Sequence, residues 1–397
     1  LQQLIHRALT YNKDLKIASA RMNELAALKR IDFANMFPQA TARLNGNRET
    51  TNYGGDNFDA DPELSLTASI SWELDLWGNL RWARDHSTAE FLASVENCRA
   101  VKIGLVAQVA QSYFELMALD NELAIVRRTL EARREGVRLA EIRFKGGLTS
   151  EIVFQQAKVE LAKTATMVPD LERRISLKES EIALLTGDFP YAVNRNVLPE
   201  EIQLPDALPL GLPSTLLERR PDIRKAEREL MAAHAEVGLA YTNMFPRLAL
   251  TATLGAESET LRDLLKSPYS YLAGNLLSPL FAMGKNRAAL KAKRAAYEGA
   301  VAEYEKTVLT AFKETHNAII NFNKIKDIYE SRRQLAEASR TAVELAQLQY
   351  INGVIGYLDL LDAQRNYFDA QVSLSNAVCD KQLMIINLYK ALGGGWK

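Results

Sequence analysis

The residues that could do acid–base, nucleophilic or metal chemistry are scattered along this chain. Its histidines show neither a His-x-x-x-His spacing nor a neighbouring cysteine, and they are His6, His86, His234 and His316. Carboxylates are plentiful, but none forms a recognisable constellation with a histidine or a glycine-rich loop, and no phosphate-binding motif occurs. The sequence therefore predicts no enzyme, no metal site and no cofactor.

Cysteine usage and charge balance narrow the class of protein further. Cys98 and Cys379 each lie in a helical pattern, which favours two buried thiols over a disulfide or a metal site. The 49 Lys and Arg residues equal the 49 Asp and Glu residues, so no net charge would attract nucleic acid. No run of about eighteen apolar residues occurs, which argues against a membrane-spanning helix.

The chain consists of two sequence repeats. Asn35-Met36-Phe37-Pro38 recurs as Asn243-Met244-Phe245-Pro246, a spacing of 208 residues, whereas Gly147 and Gly353 are separated by 206. The spacing changes by two residues within a segment where a surface loop can differ in length between the repeats. Two equivalent halves are therefore predicted over 1–187 and 214–397, joined by a connector over 188–213 that holds five of the 12 prolines.

Each half has the same order of elements. Helical periodicity predicts six helices over 14–36, 79–145, 149–186, 218–243, 285–351 and 355–392. The two longest contain about 65 residues without proline, which at 1.5 Å per residue gives on the order of 100 Å. Helices of this length require a coiled or bundled rod.

Four strands are predicted in two pairs, over 39–50, 64–76, 247–258 and 269–281. In 64–76 every even position is apolar and every odd position is polar, so one face meets apolar surroundings and the other meets water. The linkers 51–63 and 259–267 are predicted to be exposed loops. Strands of about 12 residues are long enough to cross a bilayer when tilted.

Four strands per chain cannot close a barrel, and open edges in lipid would leave backbone groups unpaired. Two copies would supply eight strands, enough only for a barrel filled by side chains, whereas three would supply twelve and leave a water-filled lumen. The sequence thus predicts a mainly α-helical chain with a membrane β-barrel, trimeric and twelve-stranded, continuous with a long helical barrel. The alternative is a soluble, elongated coiled-coil structural protein.

Three motifs give the chain a family resemblance. They are Leu216 to Glu227 (LLERRPDIRKAE), Tyr350 to Arg365 (YINGVIGYLDLLDAQR) and the ending Ala391-Leu392-Gly393. Together they resemble the TolC-like outer-membrane factors, most closely the NodT-type, OprM-like lipoprotein branch that serves multidrug efflux. The motif residues that carry the match are Arg219, Arg220, Pro221, Asp222, Phe245 and Pro246.

The resemblance implies a passive exit duct in the outer membrane of a Gram-negative bacterium, with most of the chain in the periplasm. It implies a homotrimer in contact with outer-membrane lipid, a periplasmic adaptor protein and an inner-membrane pump that supplies the energy. Drugs or other small molecules are the expected cargo. A duct for protein secretion shares the fold and is the second alternative.

The resemblance also implies a constricted periplasmic tip. Asp359 and Asp362 occupy the positions of the family's pore-ring aspartates, although helix N-terminal carboxylates that interact with the helix dipole are the simpler interpretation. Tyr350, Ile355 and Leu358 are further pore-lining candidates. Gly147, Gly353 and Gly356 are candidate hinges of the tip loops.

Two departures from the family pattern bear on closure of the tip. Ile355 stands where some members have an arginine, and Val153 stands where some have a carboxylate. Apolar contact through Val354, Ile355 and Leu358 is therefore expected instead of salt bridges. The branch usually begins with an acylated cysteine, so acylation is expected if residues precede Leu1.

Overall fold

The structure is a computed structural model that describes residues 1–51, 59–195, 219–279 and 281–394. The first repeat contains six elements in this order: α1 (Gln2–Tyr11), α2 (Lys13–Ala34), β1 (Gln39–Thr51), β2 (Asp59–Leu74), α3 (Asn79–Lys145) and α4 (Glu151–Thr186). The second contains α5 (Pro221–Thr242), β3 (Arg247–Ser258), a 3-10 turn (Leu264–Lys266), β4 (Pro268–Leu277), α6 (Lys285–Ile351) and α7 (Tyr357–Ala391). Much of the predicted connector 188–213 lies outside the described residues, and so does 216–218 of the first motif.

The helix before the first strand pair differs from the prediction of one helix over 14–36. A separate helix, α1, precedes α2 and ends at Tyr11. Asn12 separates them because its side chain is occupied by other partners: its Nδ2 donates to Leu185 O at 3.0 Å and its Oδ1 accepts from Leu15 N–H at 2.9 Å. The asparagine thereby caps α2 at its start.

Several predicted boundaries also shift. The loop predicted over 51–63 is too long, because β2 already begins at Asp59, where it pairs with Thr51. This strand ends at Leu74 rather than at 76, and β4 ends at Leu277 rather than at 281. The predicted exposed loop 259–267 contains the 3-10 turn, in which Leu264 is buried. Pro169 lies inside α4, which continues past it.

The strands form one antiparallel sheet in the order β1-β2-β3-β4. Its register pairs even-numbered residues with even-numbered ones, as in Leu44 with Leu66, Ile70 with Ala252 and Leu248 with Leu276. Because side chains alternate along a strand, all the leucines of this set share one face. The odd-numbered face is polar, and Ser69 Oγ and Thr253 Oγ1 lie 2.9 Å apart on it.

Contacts divide the chain into two compact units, and each takes segments from both repeats. Unit 1 comprises Leu1–Ala18, Cys98–Pro221 and Val308–Lys397, and unit 2 comprises Ser19–Asn97 and Asp222–Thr307. This division cuts across the predicted one of 1–187, 188–213 and 214–397. Unit 1 has an apolar core around Leu116, Val126 and Leu171, whereas unit 2 holds the four-stranded sheet.

Within the part of the chain that the structure describes, no helix carries an apolar segment long enough to span a membrane.

Candidate functional site

Equivalent turns end the two long helices at the candidate hinges. Gly147 has φ +72° and Gly353 has φ +75°. After α3, Gly147 N–H donates to Phe144 O at 2.9 Å and Leu148 N–H to Arg143 O at 2.8 Å. After α6, Gly353 and Val354 make the same two bonds to carbonyls of the last turn. Glycine suits this left-handed position because it has no Cβ, so both helices end in the same closed turn.

The start of α7 is organised differently. Gly356 precedes this helix with φ −78°, a conformation open to any residue. Its N–H donates to Asp359 Oδ2 at 3.0 Å. Asp359 thus caps the helix from its third position, where a carboxylate also interacts favourably with the helix dipole.

Four helices of unit 1 meet in one apolar cluster beside these turns, which we call the helix-end cluster. Its buried members are Ala140, Ala157, Ala346, Tyr350, Tyr357, Leu360 and Leu361. The rings of Tyr350 and Tyr357 lie 5.8 Å apart. This cluster holds the two helix hairpins, α3 with α4 and α6 with α7, against each other.

Tyr350 belongs to the interior of the helix-end cluster. Its side chain is buried, and the Arg143 guanidinium lies 4.7 Å from its ring centroid. Its hydroxyl has no hydrogen-bond partner among the described residues. In the single chain Tyr350 is therefore a packing residue rather than an exposed one.

The other predicted pore residues lie at the exposed start of α7 or just before it. Leu358 is 60% exposed, the Asp362 side chain is 78% exposed, and Asp359 is exposed as well. Residues 358, 359 and 362 share one helix face, opposite the buried Tyr357 and Leu361. Ile355 is partly buried against the helix-end cluster, whereas Val354 is 70% exposed.

A buried ionic network lies one to two helical turns further along α7. Glu160 of α4 accepts a hydrogen bond from Arg365 of α7, and its second oxygen lies 3.7 Å from Arg133 of α3. Arg133 also donates to Gln364 Oε1 at 3.0 Å. The side chains of Arg133 and Glu160 are 7% and 6% exposed. The network ties three helices together. Gln364 and Arg365 end the second family motif, but their partners Arg133 and Glu160 lie far away in sequence and in no motif, so the sequence did not predict the pairing.

The network shifts the pKa values of its members. The hydrogen bond from Arg365 and the nearby positive charges lower the pKa of Glu160, despite its burial. Burial lowers the pKa of Arg133, and burial also raises the pKa of Tyr357. The hydrogen bond to Glu160 raises the pKa of Arg365. Glu160 is consequently a buried, charged carboxylate at neutral pH.

The first family motif makes structural contacts. Arg220 is buried, donates to Ala391 O at 3.0 Å and pairs with Glu314 at 2.6 Å, so it binds a carbonyl at the end of α7. Arg219 lies beside it, and its carbonyl oxygen would be 3.1 Å from a Cβ added at Gly393. Neither arginine lies in the helix-end cluster.

The remaining motif residues organise the start of α5 and the junction with β3. Pro221 begins α5, where its missing N–H costs no hydrogen bond, and the Asp222 carboxylate accepts from Ile223 N–H at 3.0 Å. Phe245 stacks on Trp77 with ring centroids 5.0 Å apart. Trp77 Nε1 donates to Pro246 O at 2.8 Å.

Among the described residues, no group of three or more histidines, cysteines and carboxylates is arranged to hold a metal ion.

Comparisons with known proteins agree with this geometry. The sequence model of the family described as "Outer membrane efflux protein" matches residues 4–188 and 212–394, one match in each repeat. The chain is 33% identical to the solvent efflux pump outer membrane protein SrpC of Pseudomonas putida, over 100% of the chain and 85% of SrpC. It is 32% identical to the outer membrane protein OprJ of Pseudomonas aeruginosa, over 100% of the chain and 84% of OprJ.

Among solved structures, the outer-membrane channel OprN is similar over the whole chain. Its TM-score is 0.92 at 30% identity, and the match covers 100% of this chain and 90% of the OprN chain. The likeness therefore extends to the order and packing of both repeats.

Proposed function

This chain belongs to the outer membrane efflux protein family, and from that premise we propose that three copies form one duct through which an efflux system releases its cargo. It is an outer-membrane efflux component. We assign it the passive part of the work, with no catalytic step of its own. The energy would come from an inner-membrane pump, joined to the duct by a periplasmic adaptor protein.

The observation that supports this proposal most strongly is the two-faced sheet of unit 2. One face carries exposed apolar side chains such as Leu44 (65%), Leu254 (68%) and Leu272 (79%). The opposite face is polar, and β1 and β4 form the two edges of the sheet. If copies joined edge to edge, the backbone N–H and C=O groups of β1 and β4 would find hydrogen-bond partners. The leucines would then face lipid, and the polar face would line a water column.

Small molecules are the cargo that we propose, because SrpC, an outer membrane protein of a solvent efflux pump, is similar over the whole chain. The sheet would contact outer-membrane lipid, and no nucleic acid would take part.

We propose that the exposed face at the start of α7 forms the gate of the duct. Three copies of Asp359 and Asp362 would make rings of negative charge that favour cations. Leu358 and Ile355 would supply apolar contacts that keep the tip narrow. Tyr350 would act from inside the helix-end cluster by fixing the turn at Gly353, and Gly147 would close the equivalent turn of the first repeat.

Conductance of the full chain in planar lipid bilayers tests the duct. We expect discrete steps of current, and we expect Ile355→Ser to raise the fraction of time that the duct is open. Unchanged conductance of Ile355→Ser would contradict the apolar gate. No current from the wild type, from Ile355→Ser or from Leu358→Ser would contradict the duct itself.

A further inference from the structure

A cleft of about 600 Å³ lies in unit 2 where β3 and β4 meet α5 and α6. Its apolar wall includes Leu239, Phe245 and Leu277. Its polar wall carries three cationic side chains, Arg247, Lys285 and Lys293, together with the amides of Asn243 and Asn286. A wall of this composition suits an anion with an apolar body.

Positive charge exceeds negative charge in this cleft. Among the described residues that line the cleft, Glu236 is the one carboxylate, and it pairs with Lys293 at 2.7 Å. Among the described residues, no carboxylate lies within ion-pairing distance of Arg247 or Lys285. Two cationic groups are therefore uncompensated beside an aromatic ring.

Two of the three cationic groups have side-chain partners, since Lys293 pairs with Glu236 and Arg247 contacts Asn243. Arg247 donates to Asn243 Oδ1 at 2.6 Å, and the same oxygen accepts from Asn79 at 3.0 Å. Asn286 donates to Asn243 O at 3.4 Å. Lys285 lies in the first turn of α6, whose helix dipole adds to the positive potential.

The first repeat lacks this charge at the equivalent positions. At the spacings of 208 and 206 residues, Gln39 corresponds to Arg247 and Asn79 corresponds to Lys285. Both equivalents are neutral, yet they stand at the same junction between strand and helix. The first repeat therefore forms an equivalent junction without a cationic pair.

The cleft opens on the polar side of the sheet. Arg247 and Leu277 are paired across β3 and β4, and both belong to the odd-numbered set that includes Thr251 and Thr253. In the proposed duct, this face meets the water column rather than lipid.

We propose that this cleft is a binding site for soluble organic anions, in which a carboxylate, sulfonate or phosphate contacts Arg247 and Lys285 and an apolar body lies against Phe245 and Leu277. The inference rests on the proposed duct, in which the cleft faces the water column. It assigns the cleft a ligand and does not make anions the cargo, because the proposed rings of Asp359 and Asp362 favour cations.

Equilibrium dialysis of the full chain in a non-ionic maltoside detergent against radiolabelled taurocholate tests the site. We expect saturable binding, one site per chain, that weakens as salt is raised. Arg247→Gln and Lys285→Asn, which install the residues of the first repeat, should together raise Kd at least tenfold. Lys291→Gln removes an exposed lysine of the same helix that does not line the cleft, and its Kd should remain within twofold of the wild type.

An unchanged Kd in the double variant would overturn the proposal, and so would equal weakening in Lys291→Gln. Displacement by phosphatidylglycerol but not by unlabelled cholate would assign the site to lipid and contradict a soluble ligand. Bilayer conductance separates this inference from the duct, because a conducting chain that binds no taurocholate contradicts the anion site alone. A chain that never conducts contradicts the duct.

Discussion

Glu160 is a single carboxylate on which three helices of unit 1 depend. Arg365 donates to it directly and Arg133 lies 3.7 Å away, while the carboxylate itself is 6% exposed. Removing one member of a buried ionic group leaves the others desolvated without a counter-charge, which is more costly than the original pair is stabilising. Loss of one member of this network should therefore destabilise the helix packing next to the helix-end cluster.

Glu160→Gln is expected to lower the free energy of local opening near the helix-end cluster by about 3 kcal/mol. Amide hydrogen exchange of α4 and α7 measures this change. The control is Glu330→Gln, because Glu330 forms an exposed, solvent-screened pair with Arg333, whose loss should leave the exchange of α4 and α7 nearly unchanged. Equal protection in the two variants would contradict the assigned role.

The pH dependence of this opening has a defined sign. Because the pKa of Glu160 is lowered below 4.5 in the folded chain, its stabilisation is fully present above that value. It is lost as pH falls through the lower folded pKa. Hydrogen exchange near Glu160 should therefore accelerate, beyond the intrinsic trend, as pH falls below about 4.5, and Glu160→Gln should abolish the extra acceleration. The same acceleration in the variant would contradict this assignment.

Gly353 provides a second test at the scale of one residue. Its φ of +75° disfavours any residue with a Cβ, although nothing lies within 4 Å of that position. Gly353→Ala should destabilise the last turn of α6 by about 1 kcal/mol, because alanine is strained in the left-handed region. Gly356→Ala is the control, since φ −78° suits alanine. If both substitutions had the same effect on hydrogen exchange of α6, the turn would not depend on glycine.

At the scale of elements, α5 approaches α3 through a glycine. A Cβ added at Gly238 would lie 2.3 Å from the Trp82 ring, which itself packs edge-on against His234 at 5.6 Å. No side chain fits between these helices at their present separation. The small residue therefore sets how closely α5 and α3 pack within unit 2.

Gly238→Ala should lower the thermal midpoint of unfolding, at a cost of about 1 to 3 kcal/mol from overpacking. Gly299→Ala is the matched control, because Gly299 is also helical in unit 2 and nothing lies within 4 Å of its Cβ position. This control should be neutral or stabilising by up to about 1 kcal/mol. Thermal unfolding followed by circular dichroism measures both, and an unaffected Gly238→Ala would refute the close approach.

Regular elements could be predicted from local pattern, whereas the contacts between them could not. Strict alternation identified the sheet, and stretches of about 65 residues without proline identified α3 and α6. Asn12 gave no such signal, because it interrupts the helix through a partner at Leu185, far along the chain. The Glu160 network and the burial of Tyr350 likewise depend on which helices become neighbours. The candidate gate face came from family resemblance, and its role remains a proposal.

At the scale of the whole molecule, the proposed gate predicts a charge selectivity. Six carboxylates, two from each of three copies, would line the tip, so Asp359→Asn with Asp362→Asn should lower the ratio of cation to anion permeability toward one. Reversal potentials in a KCl gradient across a planar bilayer measure this ratio. Asp369→Asn, an exposed carboxylate further along α7, is the control and should leave selectivity unchanged. An unchanged permeability ratio in the double variant would contradict the placement of the gate at these two aspartates.

The sheet edges must be closed by further copies of the chain, because one chain alone leaves backbone N–H and C=O groups of β1 and β4 without hydrogen-bond partners in lipid. Native mass spectrometry of the detergent-extracted protein tests it most directly. We predict a single assembly of three chains, each of 44.4 kDa. A monomer that remains soluble without detergent would contradict the account.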